Sequence, residues 1–264
     1  MSNAQSTVLV IIDPQNDFMD WKGAALPVPG AKADMERLAR FITEQGKKID
    51  DIIVTLDTHV EDHIAHAIRW VDRHGTHPAP FTVITEDMVH HGVWRAANPS
   101  DQVWQHAYVR LLKKSGGKDL VVWPPHCVKQ TYGHRIEPTL MKALDGWMSA
   151  TGRTVRTVEK GMNRDTEQYG AFAADVVIRD DKRTHFNQGL VQDVERHTLK
   201  LWAGEALSHC LMTSFDQLAA RPSESIILTD ATSPVTGFEK VAEDWLHLKR
   251  AEGVRLSTTT SLVL

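Results

Sequence analysis

Thr7-Val8-Leu9-Val10-Ile11-Ile12-Asp13 is the stretch on which the reading of the fold turns. A short apolar run closed by a carboxylate has the length and composition of a strand, and it recurs along the chain between longer stretches of helical type. That alternation is expected of a parallel sheet covered on both faces. Further strands are predicted at residues 51–56, 153–158, 198–203, 225–229 and 253–257. Helices fit between them at 30–45, 138–148, 206–220 and 238–251. In the first helix Ala31, Met35, Leu38, Ala39 and Ile42 recur at spacings of three and four, which makes one apolar stripe suited to lying on a sheet.

The expected fold is therefore α/β, three-layer αβα, with a central six-stranded parallel sheet in one domain over residues 5–264. Residues 66–120 stand apart. They carry Pro78, Pro80, Pro99 and Ser115-Gly116-Gly117 and show no sustained period. They read as a long insertion over one end of the sheet, with a short helix near 102–112. Ser2-Asn3-Ala4 reads as a remnant of tag removal, outside the fold.

Composition narrows the function. Of 264 residues 42% are hydrophobic and 24% charged, ordinary for a globular chain and unlike a disordered or fibrous one. Lys and Arg total 30 against 34 Asp and Glu, so no basic excess points to nucleic acid or acidic lipid. Two cysteines are too few for a disulfide framework, and the chain opens without a basic segment leading into an apolar one, so a reducing cytoplasm is expected. No run approaches the ~20 apolar residues of a membrane span.

Ligands of open parallel sheets sit outside the carboxyl ends of the strands, so polar residues that follow apolar runs are the first candidates. The first strand delivers Asp13, the second Asp57-Thr58-His59, the third Glu159-Lys160, and the fourth Gly204-Glu205-Ala206 ahead of Cys210. Each alone has an ordinary explanation as a cap, a surface lysine or a small buried side chain. Together they give a nucleophile, a base and an electrostatic partner. A helix start and a nearby Lys160 would stabilise a Cys210 thiolate, and Asp13 could take the thiol proton. The backbone N–H groups of Ala206 and Cys210 are candidate oxyanion donors.

A second constellation is Asp57-x-His59 with His63, His66 and His126. Asp57 and His59 alternate along an extended backbone and point the same way, which suits a shared metal ion. His126, stiffened by Pro124-Pro125, would be the third ligand. Two imidazoles and one carboxylate leave positions open to substrate or water. His63 and His66 stand between solvated loop histidines and further ligands, and Cys127 is expected to pack inward.

Five segments resemble the nicotinamidase branch of the isochorismatase-like cysteine hydrolases. They are Asp13-Pro14-Gln15-Asn16-Asp17-Phe18, then Thr55-Leu56-Asp57-Thr58-His59 with His63, then Trp123-Pro124-Pro125-His126-Cys127-Val128 with Thr131 and Gly133. Lys160-Gly161 with Tyr169-Gly170-Ala171-Phe172 and Gly204-x-Ala206-x-x-x-Cys210 complete the set, in the family's order. The resemblance implies an Asp, Lys, Cys triad at Asp13, Lys160 and Cys210. It implies one divalent metal, zinc, iron or manganese, on Asp57, His59 and His126, with His63 a candidate fourth ligand. It also implies a planar ring held by Phe18 and Trp123, with Tyr169 a further substrate-binding candidate, and a cis Glu205–Ala206 peptide shaping the oxyanion hole.

The implied activity is a metal-containing, cysteine-dependent amidohydrolase that turns nicotinamide into nicotinate and ammonia through a thioester. Its partner would be a small carboxamide substrate; the sequence is also compatible with a homo-oligomer. The alternatives are a related cysteine hydrolase acting on another carboxamide or a ureido substrate, and an inactive metal-binding homologue. Glu205 and Gly170 depart from the family, which carries an aliphatic residue and a serine there. Glu205 is expected beside the oxyanion donors, where it would bear on selectivity.

Overall fold

The computed structural model describes residues 6–218 and 224–264. Ser2-Asn3-Ala4, the domain start at Gln5 and the predicted helix end at Ala220 lie outside them. In chain order the regular elements are β1 (Thr7–Ile12), α1 (Ala31–Gln45), β2 (Asp51–Asp57), β3 (Trp70–Val71), β4 (Val83–Ile84), α2 (Glu86–His90), β5 (Arg95–Ala96), α3 (Gln102–Gly116), β6 (Leu120–Val121), α4 (Pro138–Thr151), β7 (Arg156–Lys160), α5 (Gln188–Glu195), β8 (Leu199–Gly204), α6 (Met212–Leu218), β9 (Ser225–Leu228), α7 (Glu239–Ala251) and β10 (Arg255–Ser257).

Six strands form one sheet in the order β10-β9-β8-β1-β2-β7, every pair parallel. β1 lies in the interior, between β2 and β8, and each of its residues is buried. Its side chains divide by parity, as a strand of period two requires. Leu9 and Ile11 pack with Met35 and Leu38 of α1 and Leu140 and Leu144 of α4 on one face. Val8, Val10 and Ile12 pack with Leu190 and Val194 of α5, Phe215 of α6 and Trp245 of α7 on the other. Two apolar layers on a common sheet give the three-layer α/β architecture. Each fully buried aliphatic side chain contributes ~1.5–3 kcal/mol.

The third predicted strand, residues 153–158, is displaced to Arg156–Lys160. α4 runs three residues past its predicted end, and Gly152, at φ 69°, closes it. Arg153 is then engaged with the Ile49 carbonyl and the Asp50 carboxylate before pairing with β2 begins at Ile53↔Arg156. The shift matters because it makes Lys160 the last residue of the strand, opposite Asp57.

Residues 66–120 are more ordered than their composition suggests. β3 pairs with β5 and β4 with β6, both antiparallel, and α3 extends to Gly116. Gly117, at φ 68°, is its left-handed cap, so the Gly116-Gly117 pair marks the end of a helix. α3 buries Tyr108, Val109 and Leu112 in the same apolar layer as Leu9. Two-residue strands carry no readable period, which is why they escaped the sequence. Among the described residues no helix is long and apolar enough to cross a membrane.

Candidate active site

Asp13, Lys160 and Cys210 meet at the carboxyl edge of β1, β7 and β8. Asp13 leaves β1 with φ 42°, and Thr55 of β2 fixes it at both ends. The Asp13 N–H donates to Thr55 Oγ1 at 3.0 Å, and that hydroxyl donates to Asp13 Oδ1 at 2.6 Å. Lys160 Nζ lies 2.9 Å from Asp13 Oδ2, 3.2 Å from Asp57 Oδ1 and 3.6 Å from Cys210 Sγ. It also donates to the Gln168 carbonyl at 3.0 Å. Asp13 is 0% exposed, Lys160 2% and Cys210 6%, so these interactions take place away from bulk water.

Burial would strip Lys160 of its proton, but Asp13, Asp57 and Cys210 outweigh it and hold the ammonium well above the usual lysine range. Burial raises the Asp13 carboxyl and so gives it basicity, against the pull of Lys160. Cys210 sits in a π-helical turn, Leu207–Leu211, ahead of α6. Burial pushes its thiol well up; Lys160 opposes this, while Asp13 and Asp57 add to it. So raised, the thiol needs a base to take its proton, and Asp13 is the carboxylate beside it.

Asp57, His59 and His126 form a buried group whose donor atoms lie within 4.8 Å of one another. Asp57 Oδ2 is 2.9 Å from His59 Nε2 and 3.3 Å from His126 Nε2. Gln15 clamps Asp57 through both backbone groups, at 2.8 and 2.7 Å. The chain beyond β2 then pairs His59 with Val128, which draws His126 alongside. His126 Nδ1 lies 2.9 Å from the Pro124 carbonyl, which turns Nε2 toward Asp57. Burial raises Asp57, but His59 and Lys160 outweigh it and keep the carboxylate well below its usual range. The buried nitrogens His59 Nδ1 and His66 Nε2 have no partner among the described residues. Two imidazole nitrogens converging on one carboxylate oxygen form a ligand set that fits a divalent ion at distances of about 2.0–2.2 Å.

His63 lies against His59, ring centroids 4.2 Å apart, but both its nitrogens already have backbone partners in Thr166 and Ala65. Burial drives His63 and His66 down as bases, His66 to about 3, so both are neutral.

A pocket above Cys210 is lined by Phe18, Trp123, Tyr169, His126 and Ala206, which brings the sequence-predicted ring-holding residues to one place. Trp123 Nε1 donates to Tyr169 Oη at 2.9 Å. Two polar lining residues were missed by the sequence reading, Glu167 and His209. Glu167 also forms a second donor group with His59 and His63. His209 packs edge-on against Trp123, and burial with Lys118 nearby lowers it to about 4, a neutral ring. Its place beside Cys210 was a usable signal; Glu167, on an irregular loop, gave none.

No family model matches the chain. A curated nicotinamidase of Saccharomyces cerevisiae is 24% identical over 234 residues, 88% of this chain and 90% of that protein. The yeast nicotinamidase solved with the inhibitor nicotinaldehyde superposes with a TM-score of 0.66 at 20% identity, covering 96% of this chain and 99% of that one. The chain shares the fold of the isochorismatase-like nicotinamidases. Within it, the pyrazinamidase of Pyrococcus horikoshii solved in complex with zinc has a TM-score of 0.55 at 17% identity, covering 96% and 99%.

Both departures from the isochorismatase-like pattern have structural explanations. A Cβ at Gly170 would fall 2.0 Å from Gln217 Oε1, which accepts instead from the Phe172 and Ala173 N–H groups at 3.0 and 3.2 Å. The glycine makes room for an amide that ties the loop after β7 to α6. Glu205, expected to bear on the anion pocket, turns away from it. Its carboxyl lies under the floor, against Ser233 and Asp34. The Glu205–Ala206 peptide is cis.

Proposed function

We propose that the protein converts nicotinamide to nicotinate and ammonia through a thioester on Cys210. The amidohydrolase class follows from its likeness to nicotinamidase over 88% of its length; the cysteine chemistry rests on one observation. A carboxylate, Asp13, and a sulfur, Cys210, lie within 3.6 Å of the Lys160 ammonium, on the floor of an aromatic pocket.

Asp13 takes the proton of Cys210 as sulfur attacks the carboxamide carbon. The tetrahedral oxyanion is received by the Ala206 and Cys210 N–H groups, and Lys160 balances the charge that has moved between sulfur and carboxylate. When the C–N bond breaks, Asp13 returns the proton to the leaving nitrogen and ammonia departs. Asp13 then takes a proton from water, whose oxygen attacks the thioester. The C–S bond breaks, the sulfur regains its proton from Asp13, and the acid leaves. Amide and water have become acid and ammonia, and the side chains are as they began.

Phe18 and Trp123 would hold the ring, with Tyr169 fixing Trp123. Asp57, His59 and His126 would hold the divalent metal, zinc, iron or manganese, and His63 would support them from behind. When bound, such an ion supplies a Lewis acid for a ring nitrogen or a water. With Glu205 turned from the pocket, nothing at the site favours an inactive homologue. Both cysteines are free, and we place the protein in a reducing cytoplasm.

Ammonia release across a panel of carboxamides and ureides, with and without chelator, tests the assignment. Nicotinamide should lead the panel and chelation should lower the rate. A panel led by a ureide, indifferent to chelator, would overturn it.

A further inference from the structure

One buried acid has no part in the mechanism above. Glu205 is 0% exposed and joins Gly204, the end of β8, to Ala206 on the pocket floor. Its Oε2 accepts from the Ser233 N–H at 3.2 Å, and the Asp34 carboxyl of α1 lies near it. Asp34 in turn accepts from Ser233 Oγ at 2.5 Å and from the Arg37 guanidinium. The same loop is stitched to the chain on both sides of Glu205. Gly204 N–H donates to the Ala231 carbonyl at 2.9 Å, Leu207 N–H to the Ser233 carbonyl at 2.9 Å, and Val235 N–H to Ser208 Oγ at 3.1 Å.

We propose that Glu205 is a positioning residue for the acyl-transfer reaction proposed above. Its carboxyl ties the Glu205–Ala206 peptide to α1 and to the 231–235 loop, and so aims the Ala206 N–H at the substrate's carbonyl oxygen. The inference rests on the amidase reading for its kinetic consequence and on the geometry alone for the clamp. An aliphatic residue could fill the same volume but could reach neither Ser233 nor Asp34.

The charged groups that face Glu205 are Asp34, Asp20 and, through Asp34, Arg37. Two ionised carboxylates packed together with one partly exposed guanidinium are unfavourable, so the pair keeps a proton. Burial and Asp34 place it on Glu205, which is pushed well above its usual range. Oε1, which has no hydrogen-bond partner among the described residues, is left to donate toward Asp34 while Oε2 accepts from Ser233, a pattern that a glutamine reproduces and a leucine does not.

The experiment compares wild type, Glu205→Gln and Glu205→Leu on the full chain, by steady-state kinetics on nicotinamide and by melting temperature against pH. Leu should lower kcat by about tenfold or more with KM little changed, because an oxyanion donor acts in the transition state. Gln should recover most of that loss. The wild-type melting temperature should fall with rising pH more steeply than that of Gln, which has no proton to lose. Equal kcat in Leu and Gln would overturn the positioning role. If Leu does not fold, equal pH slopes in wild type and Gln overturn the clamp. If wild type releases no ammonia from any carboxamide, the amidase reading falls, and the melting slopes alone decide the clamp.

Discussion

Two pairs of buried carboxyl groups lie beneath the pocket, and they are neutralised by different means. Asp13 and Asp57 share the Lys160 ammonium, at 2.9 and 3.2 Å. Glu205 and Asp34, in the proposal above, share a proton, and among the described residues the Arg37 guanidinium, 32% exposed, is the cation that reaches the pair. The first pair must keep one carboxylate basic while a proton passes to and from sulfur, and a fixed cation allows that. The second has only to hold a peptide in place, and a shared proton suffices. The comparison separates a device for moving a proton from one for storing it.

Removing the cation should break the first pair most severely. Lys160→Met leaves Asp13 and Asp57 buried without their shared cation and should destabilise the fold by about 3–5 kcal/mol in urea unfolding. Ammonia release should fall by about a thousandfold or more. A variant within tenfold of wild type would show that the two carboxylates do not depend on a common cation.

His126→Ala should weaken metal binding by more than about a hundredfold, read as metal content after dialysis. Unchanged stoichiometry would remove His126 from the ligand set. For the second pair, the raised Glu205 acid contributes stability that is complete below its unfolded value of about 4.5 and is lost as pH rises toward its folded value. Wild type should therefore lose up to about 1.4 kcal/mol per pH unit relative to Glu205→Gln across that window. Parallel stability curves would place the proton elsewhere. Gly170→Ala should have the smallest effect, about 1–2 kcal/mol, as the Gln217 amide is displaced from its two N–H donors. A variant as stable as wild type would make that amide dispensable.

Much of the first pair was readable in the chain. Asp13 and Lys160 each follow a predicted strand and Cys210 lies in the helix that follows another, and a parallel sheet places such residues at one edge. Asp57, His59 and His126 could be grouped because a strand of period two aligns the first two and a proline pair presents the third. The second pair was not readable. Glu205 stands in the same kind of position, yet Gly204, at φ 104° with no room for a Cβ against the Ile12 carbonyl, turns the chain there. Its partners Asp34 and Ser233 lie 171 residues before and 28 after it in sequence, with no pattern to link them. Glu167 was missed for a similar reason. Tyr108 of α3 accepts from its N–H at 3.0 Å, so its placement depends on an insertion whose short strands have no period.

The claim on which the rest depends is that Cys210 carries the acyl group. Intact-protein mass spectrometry on samples quenched during nicotinamide turnover tests it directly. Wild type should carry one nicotinoyl adduct that maps to Cys210 and disappears as substrate is exhausted. Cys210→Ala should fold, carry no adduct and release no ammonia. Ammonia release by Cys210→Ala, or turnover in wild type with the adduct on another residue, would contradict the account.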